Sequence, residues 1–219
     1  MITKETNHMK QHLKIFIVLC LAAVMLAFAG CGQGNSSSKP DSSSKDYTLP
    51  EAVAELRDQS MDYVRDYAKK LEGGWSDRLE LLISQNLGEP SMNSAEYTAL
   101  KSTLDSYRAE CGATYMYALV PDSEGNYYIT IDGSEEPDKW GTDYGSEVQF
   151  KEAYEAGLVA SARSGWQDGE GKWCWSVFSP LYNSNGNIIA ILGIDYPAPV
   201  LADYPEWDRD SDSWNGLDK

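Results

Sequence analysis

Apolar residues run without interruption from Ile15 to Ala29, behind Lys4, Lys10 and Lys14. Fifteen such residues fall short of the ~20 that span a bilayer as a helix, and a basic stretch before a run of this length is the pattern of an export signal. Ser, Gly and Asn then dominate from Gly32 to Lys45. That composition offers too little apolar surface to fold, so it predicts a flexible tether. Helical spacing follows. Val53, Leu56, Val64, Tyr67 and Leu71 keep to one face, entered through Thr48-Leu-Pro-Glu51, which reads as a capping box with Pro in the first turn. Gly73-Gly74 breaks the pattern, and Leu79, Leu82, Ile83 and Leu87 resume it over 75–87. Asn93, with Glu96 three residues on, starts a third helix carrying Tyr97, Leu100, Leu104 and Tyr107 on one face, and Gly112 stops it.

After Gly112 the period turns strand-like. Thr114 to Val120 and Tyr127 to Asp132 are β-rich runs on either side of Pro121-Asp-Ser-Glu-Gly-Asn126, a hairpin loop by composition. A polar interval with Trp140 and Tyr144 leads to a short helix over 149–156. A weak strand over 159–166, a strong one over 172–181 and another over 187–196 complete the set, the last two flanking the turn cluster Tyr182-Asn-Ser-Asn-Gly-Asn187. Long helices, a hairpin, a loop with a short helix and three more strands predict an α+β fold, an antiparallel-rich sheet covered by helices. The expected segments are a signal over 1–30, a tether over 31–46, a folded domain over 47–196 and an acidic, solvated tail over 197–219.

Composition narrows the function classes. With 18 Lys+Arg against 34 Asp+Glu the formal net charge is −16, which excludes a nucleic-acid partner, because phosphate binding needs a basic face. The two histidines, His8 and His12, both fall in the expected signal. A processed chain therefore lacks the usual neutral-pH base and the commonest metal ligand, and Ser-His-Asp and Cys-His arrangements are ruled out. No cofactor and no metal are expected: zinc would need Cys or carboxylates at spacings absent here. Asp208-Arg-Asp-Ser-Asp212 has the alternation of a calcium loop but offers Ser213 and Lys219 where that loop needs Gly and Glu. Paired carboxylates leave a hydrolase as the weaker alternative.

Two resemblances add to this. Leu26-Ala-Phe-Ala-Gly-Cys31 resembles the lipobox of bacterial lipoproteins, with Phe28 where Leu, Val or Ile is commoner. It implies cleavage after Gly30, a lipid on Cys31, and anchoring at the extracytoplasmic face of the cell membrane. Thr114-Tyr-Met-Tyr-Ala-Leu-Val120 with Tyr128-Ile-Thr-Ile-Asp-Gly133, and Phe178-Ser-Pro-Leu181 with Gly186-Asn-Ile-Ile-Ala-Ile-Leu-Gly-Ile-Asp195, resemble the opening and closing hairpins of extracellular PAS-like sensor domains of the Cache superfamily. The resemblance covers about two thirds of the chain (residues 49–196). It implies five strands in the order 2-1-5-4-3, with the long N-terminal helices on one face, and a small-molecule pocket between the sheet and the loops joining its second and fourth strands.

Trp140, Tyr144, Trp166, Trp173 and Trp175 fall in or beside that region, and aromatic faces suit an apolar pocket or a cationic ligand. Strand alternation puts Asp195 on a face with Ile189, Ile191 and Gly193. There it either accepts hydrogen bonds from a ligand ammonium or caps the strand end; in amino-acid-binding relatives an aspartate at this location takes the ammonium. Tyr117, alternating with Met116, either lines the pocket or packs on the helices. The candidate ligand-binding set is Asp195, Trp140, Tyr144, Trp166, Trp175 and Tyr117. The Arg that precedes Trp-Tyr in amino-acid-binding relatives is missing, and Arg163 is the only arginine between Arg108 and Arg209. An amine, an amino acid and an uncharged metabolite all stay open as ligands. The implied strand order also places Cys111 and Cys174 at opposite ends of the sheet, which predicts two unpaired thiols. The expected function is a lipid-anchored, extracytoplasmic small-molecule-binding sensor module, not an enzyme, that either signals through a partner such as a membrane receptor or simply captures its ligand. The alternative is a glycan- or envelope-polymer-binding surface lipoprotein.

Overall fold

The structure, a computed structural model, describes residues 48–85 and 92–210. The expected signal, Cys31, the tether, Leu87 and the tail from residue 211 lie outside the described residues. Three helices come first: α1 (Glu51–Leu71), α2 (Gly74–Ser84) and α3 (Ala95–Cys111). Strands β1 (Tyr115–Pro121) and β2 (Tyr127–Asp132) lead to α4 (Val148–Tyr154), then to β3 (Ala160–Ser161), β4 (Trp166–Gln167), β5 (Trp173–Tyr182) and β6 (Ile188–Pro197). Two short 3-10 turns, Pro199–Asp203 and Pro205–Trp207, follow. Among the described residues no helix is long and apolar enough to cross a membrane.

The helices start and stop close to where the sequence signals them. At the start of α1 Pro50 is the N-cap and no side-chain cap bond forms, so the capping box expected at Thr48 is not what begins it. Gly73, at φ 74°, turns the chain into α2, and the Trp75 indole N–H donates to Leu100 O (3.1 Å), tying α2 to α3. Ser94, one residue later than the expected Asn93, caps α3 by accepting from Tyr97 N–H (3.0 Å). Gly112, at φ 70°, ends it in the left-handed conformation that glycine adopts without strain.

The sheet runs β2-β1-β6-β5-β3 with β4 also on β5, and every strand pairing is antiparallel. The order is the expected one, with one correction. The third strand is two short pieces, because the chain arches away between Ser161 and Trp166, so six strands form rather than five.

The sheet is buried on both faces. Met116, Ala118, Val177, Leu192 and Ile194 pack against Leu79, Leu100 and Leu104 of the helices. Tyr117, Leu119, Ile129, Phe178 and Ile191 form the opposite face, under Phe150 and Ala153 of α4. Two register shifts modify the simple alternation. Between Ala118 and Leu119 of β1 the β1–β2 pairing skips Thr130, so Ile131 faces the helices while Asp132 pairs with Tyr117 on the other face. A second shift, near Tyr182, turns Ile189 toward the helix-side core, away from the Asp195 face expected for it.

The first part of the expected solvated tail packs instead: Ala198 and Leu201 are fully buried. Cys111 and Cys174 are free thiols, but not at opposite ends of the sheet, since Cys174 Sγ lies 3.8 Å from Thr114 Oγ1, beside the start of β1. β1 and β5 both pair antiparallel to β6 and so begin at the same end. The sheet itself separates the thiols: Cys111 packs on the helix-side core, whereas Cys174 alternates with Trp175 onto the other face.

Candidate functional site

A cavity of about 430 Å³ opens on the sheet face opposite the long helices. β1 lines it with Tyr115 and Tyr117, β5 with Ser176 and Phe178, β6 with Asp195 and the short β4 with Trp166. The end of β2 supplies Asp132, the β2–α4 connection Glu136, Asp138, Tyr144 and Glu147, and Arg209 enters from beyond the last strand.

Asp195 sits at the floor, 4 % exposed. The Tyr117 hydroxyl donates to its Oδ1 (3.3 Å), and the Ser176 hydroxyl, directly across the β5–β6 ladder, also binds it. The Trp166 indole N–H donates in turn to Ser176 Oγ (2.9 Å), which holds the Trp166 ring at the wall. Burial raises the Asp195 carboxyl to a pKa of about 7, against the opposing pull of Ser176, the Arg209 charge and Tyr117. The same burial, with the Asp195 charge, drives Tyr117 well above its ordinary value, so its phenol stays a donor.

The rings are placed by close packing. A Cβ on Gly193 would lie 2.4 Å from Tyr117 Cε2, so the phenol crosses β6 where that strand has no side chain. Tyr117 packs on Tyr144 (centroids 5.5 Å apart, tilted) and Tyr115 stacks on Trp166 (6.1 Å). The Tyr144 hydroxyl donates to Asp138 Oδ2 (2.8 Å). Asp132 holds the loop that follows it, accepting from Ser134 N–H (2.8 Å), the Ser134 hydroxyl and Asp138 N–H (2.8 Å). Burial raises its carboxyl as well, partly offset by those bonds.

Four of the six expected ligand-binding residues, Asp195, Tyr117, Tyr144 and Trp166, therefore meet around one cavity. Two do not. Trp175 projects into the helix-side core, fully buried, with its indole N–H donating to Ser161 Oγ (2.8 Å); it is one residue out of phase with Ser176 and so points through the sheet. Trp140 swings from the β2–α4 loop toward the helices, 6.4 Å from the Tyr97 ring, with its main-chain N–H on Met92 Sδ (3.5 Å). Arg163 pairs with Glu152 (3.0 Å) beside a separate groove, not the cavity.

Sequence reading missed Asp132, given only as the end of a β-rich run, and Glu147 and Arg209. For Asp132 the missing signal is the skipped Thr130, which no composition marks. For Arg209 it is tertiary docking of a stretch that reads as solvent-exposed. Five carboxylates and six aromatic rings against one guanidinium line the cavity. That combination favours a compact cation: the ring faces attract it and the carboxylates neutralise it.

No family model matches the sequence, and no curated protein does. Solved structures do. The sensory domain of the Campylobacter jejuni chemoreceptor Tlp3 with isoleucine bound is 18% identical with a TM-score of 0.43, over 69% of this chain and 56% of that one. The periplasmic domain of RsbU from Chlamydia trachomatis is 12% identical (TM-score 0.35, 70% of this chain, 56% of that one). The ligand-binding domain of the Pseudomonas fluorescens chemoreceptor CtaA in complex with L-serine is 16% identical (TM-score 0.34, 69% and 60%). The chain thus spans little more than half the length of these structures.

Proposed function

We propose that this chain is an extracytoplasmic sensor-type binding module, lipid-anchored at Cys31, whose cavity takes a small organic molecule through a cationic nitrogen. The observation that carries this reading is Asp195, a carboxylate buried at the floor of an aromatic-walled cavity and held there by Tyr117 and Ser176. A structural aspartate at a strand end needs no cavity in front of it. This one faces 430 Å³ of space with Tyr115, Tyr144 and Trp166 around it. Binding, not turnover, is the chemistry offered: no histidine is present beyond His12, and the buried carboxyl of Asp195 is already satisfied by two hydroxyl donors. A receptor in the same membrane is the class of partner that would read occupancy.

Thermal unfolding of the full-length chain in detergent tests the reading, with amines, amino acids, carboxylates and oligosaccharides as separate arms. At a hundredfold excess over its Kd, a ligand confined to the native state adds about 2.7 kcal/mol. An amine or amino acid should raise the unfolding temperature of the wild type and leave Asp195→Asn unchanged. Stabilisation by oligosaccharides alone would replace this reading with a glycan-binding one, and equal shifts in wild type and Asp195→Asn would move the site away from Asp195.

A further inference from the structure

Beyond β6, residues 198–210 stay against the domain. The turn over Pro205–Trp207 brings the backbone alongside Gly165, whose N–H donates to Trp207 O (2.8 Å) while Arg209 N–H donates to Gly165 O (2.9 Å). Gly165 and Asp208 thereby form a parallel bridge. The docking is close: a Cβ on Gly165 would lie 2.1 Å from Leu201 Cδ1. This strap sets the Arg209 side chain in the cavity wall, with its guanidinium carbon 5.8 Å from the centre of the Trp166 ring. Its ion pair with Glu147 is long, 3.7 Å from Nη1 to Oε1, beyond hydrogen-bond length. Arg209 Nε is buried and has no hydrogen-bond partner among the described residues. A buried guanidinium N–H left without an acceptor is costly, and the planar fork of donors matches a carboxylate or a similar oxyanion.

We propose that Arg209 is a specificity-determining residue of the cavity. It donates to an anionic oxygen (carboxylate, sulfonate or phosphate) of the same small molecule whose cationic nitrogen faces Asp195, and the strap tightens on Gly165 as the cavity fills. This rests on the organic-cation reading of the site. Because the strap carries Arg209, any ligand that uses the guanidinium stabilises the docked strap, and the docked strap strengthens binding to the same degree.

Matched amines that differ by one anionic group test it on the full-length chain in detergent: isoamylamine against leucine, tyramine against tyrosine, and ethanolamine against taurine and phosphoethanolamine. One charge-assisted hydrogen bond is worth about 10- to 100-fold in affinity. The anion-bearing member of at least one pair should bind more tightly by that factor in the wild type. Arg209→Gln should bring the ratio to near one, and Arg209→Lys, which keeps the charge but not the fork, should fall between. Gly165→Ala, which displaces Leu201 and so undocks the strap, should lose the preference with Arg209 intact. In the wild type the anion-bearing ligand should also slow hydrogen exchange at the Gly165 and Arg209 amides, and the plain amine should not. Amines that bind as tightly as their partners, or a preference that survives Arg209→Gln, would overturn the role of Arg209 and leave the cation reading standing. Failure of every amine to bind would remove both.

Discussion

Asp195 carries its proton to a higher pH than a surface aspartate because its carboxyl is buried among Tyr117, Ser176 and Phe178. Between the ordinary carboxylate range and about pH 7 the native state keeps a proton that the unfolded chain has already released. Native stability contributed by this group is therefore full at low pH and is lost as pH rises through that window. A cationic ligand prefers the ionised form, so its affinity moves the opposite way, rising up to tenfold per pH unit and levelling off above about 7. Asp195→Asn cannot titrate. Its unfolding temperature should exceed that of the wild type at pH 8 by more than at pH 5, and calorimetry at the two pH values checks this. A constant difference would mean that the carboxyl ionises in the native state as an exposed one does. Gly193 is a second residue-scale case. A methyl group there meets the Tyr117 ring at 2.4 Å, with the main chain of β6 behind it. Gly193→Ala should push the phenol off Asp195, costing about 1–3 kcal/mol of stability, the usual range for overpacking, and most of the amine affinity. An unaltered affinity would show that Tyr117 does not position the carboxylate.

At the scale of elements, the site depends on where α3 presses against the end of β2. Gly133 lies so close to that helix that a Cβ would fall 2.7 Å from Asp105 N and from the Leu104 carbonyl carbon, both main-chain atoms of a packed helix. Arg108 Nε donates to Gly133 O (2.9 Å) and Lys101 Nζ to Ser134 O (2.9 Å), fastening the same turn. This contact, with the skipped Thr130, puts Asp132 in the cavity. Gly133→Ala should therefore lower stability by about 1–3 kcal/mol, read as a drop in urea midpoint, and should weaken amine binding at a temperature where the variant remains folded. Full affinity in a destabilised variant would separate the turn from the site. Element-level order was legible in the sequence because period and turn chemistry act locally: the three helices, the two hairpins and the α4 position all follow from spacing and from Gly or Asx clusters. Trp175 and Asp132 were not, since each is fixed by a one-residue phase in the sheet. Trp175 sits one step from Ser176 on a strand apolar on both faces, so alternation has no polar side to orient it.

For the whole molecule, the sheet works as a partition with unequal sides. Helices α1 to α3 fill one side with a large apolar core. On the other, among the described residues, only α4, the β2–α4 loop and the strap cover the sheet, and that thinner cover leaves the cavity. The strap was hidden from sequence reading because its acidic composition resembles solvated chain, while its docking rests on two buried apolar residues, Ala198 and Leu201, and on a glycine. Charge bears on the membrane attachment proposed above. A net charge of −16 is repelled by anionic headgroups, so electrostatic adsorption would not supply such attachment. A diacylglyceryl group on Cys31 would anchor stably, because two acyl chains suffice where one is marginal. The wild-type chain should accordingly fractionate with membranes and stay there through a high-salt wash, which strips proteins held by charge but not by acyl chains. Cys31→Ser should appear in the soluble fraction or as unprocessed precursor, and its amine affinity should equal that of the wild type, since no cavity residue is altered. A Cys31→Ser chain that remained in washed membranes would show that residues other than Cys31 provide the anchor.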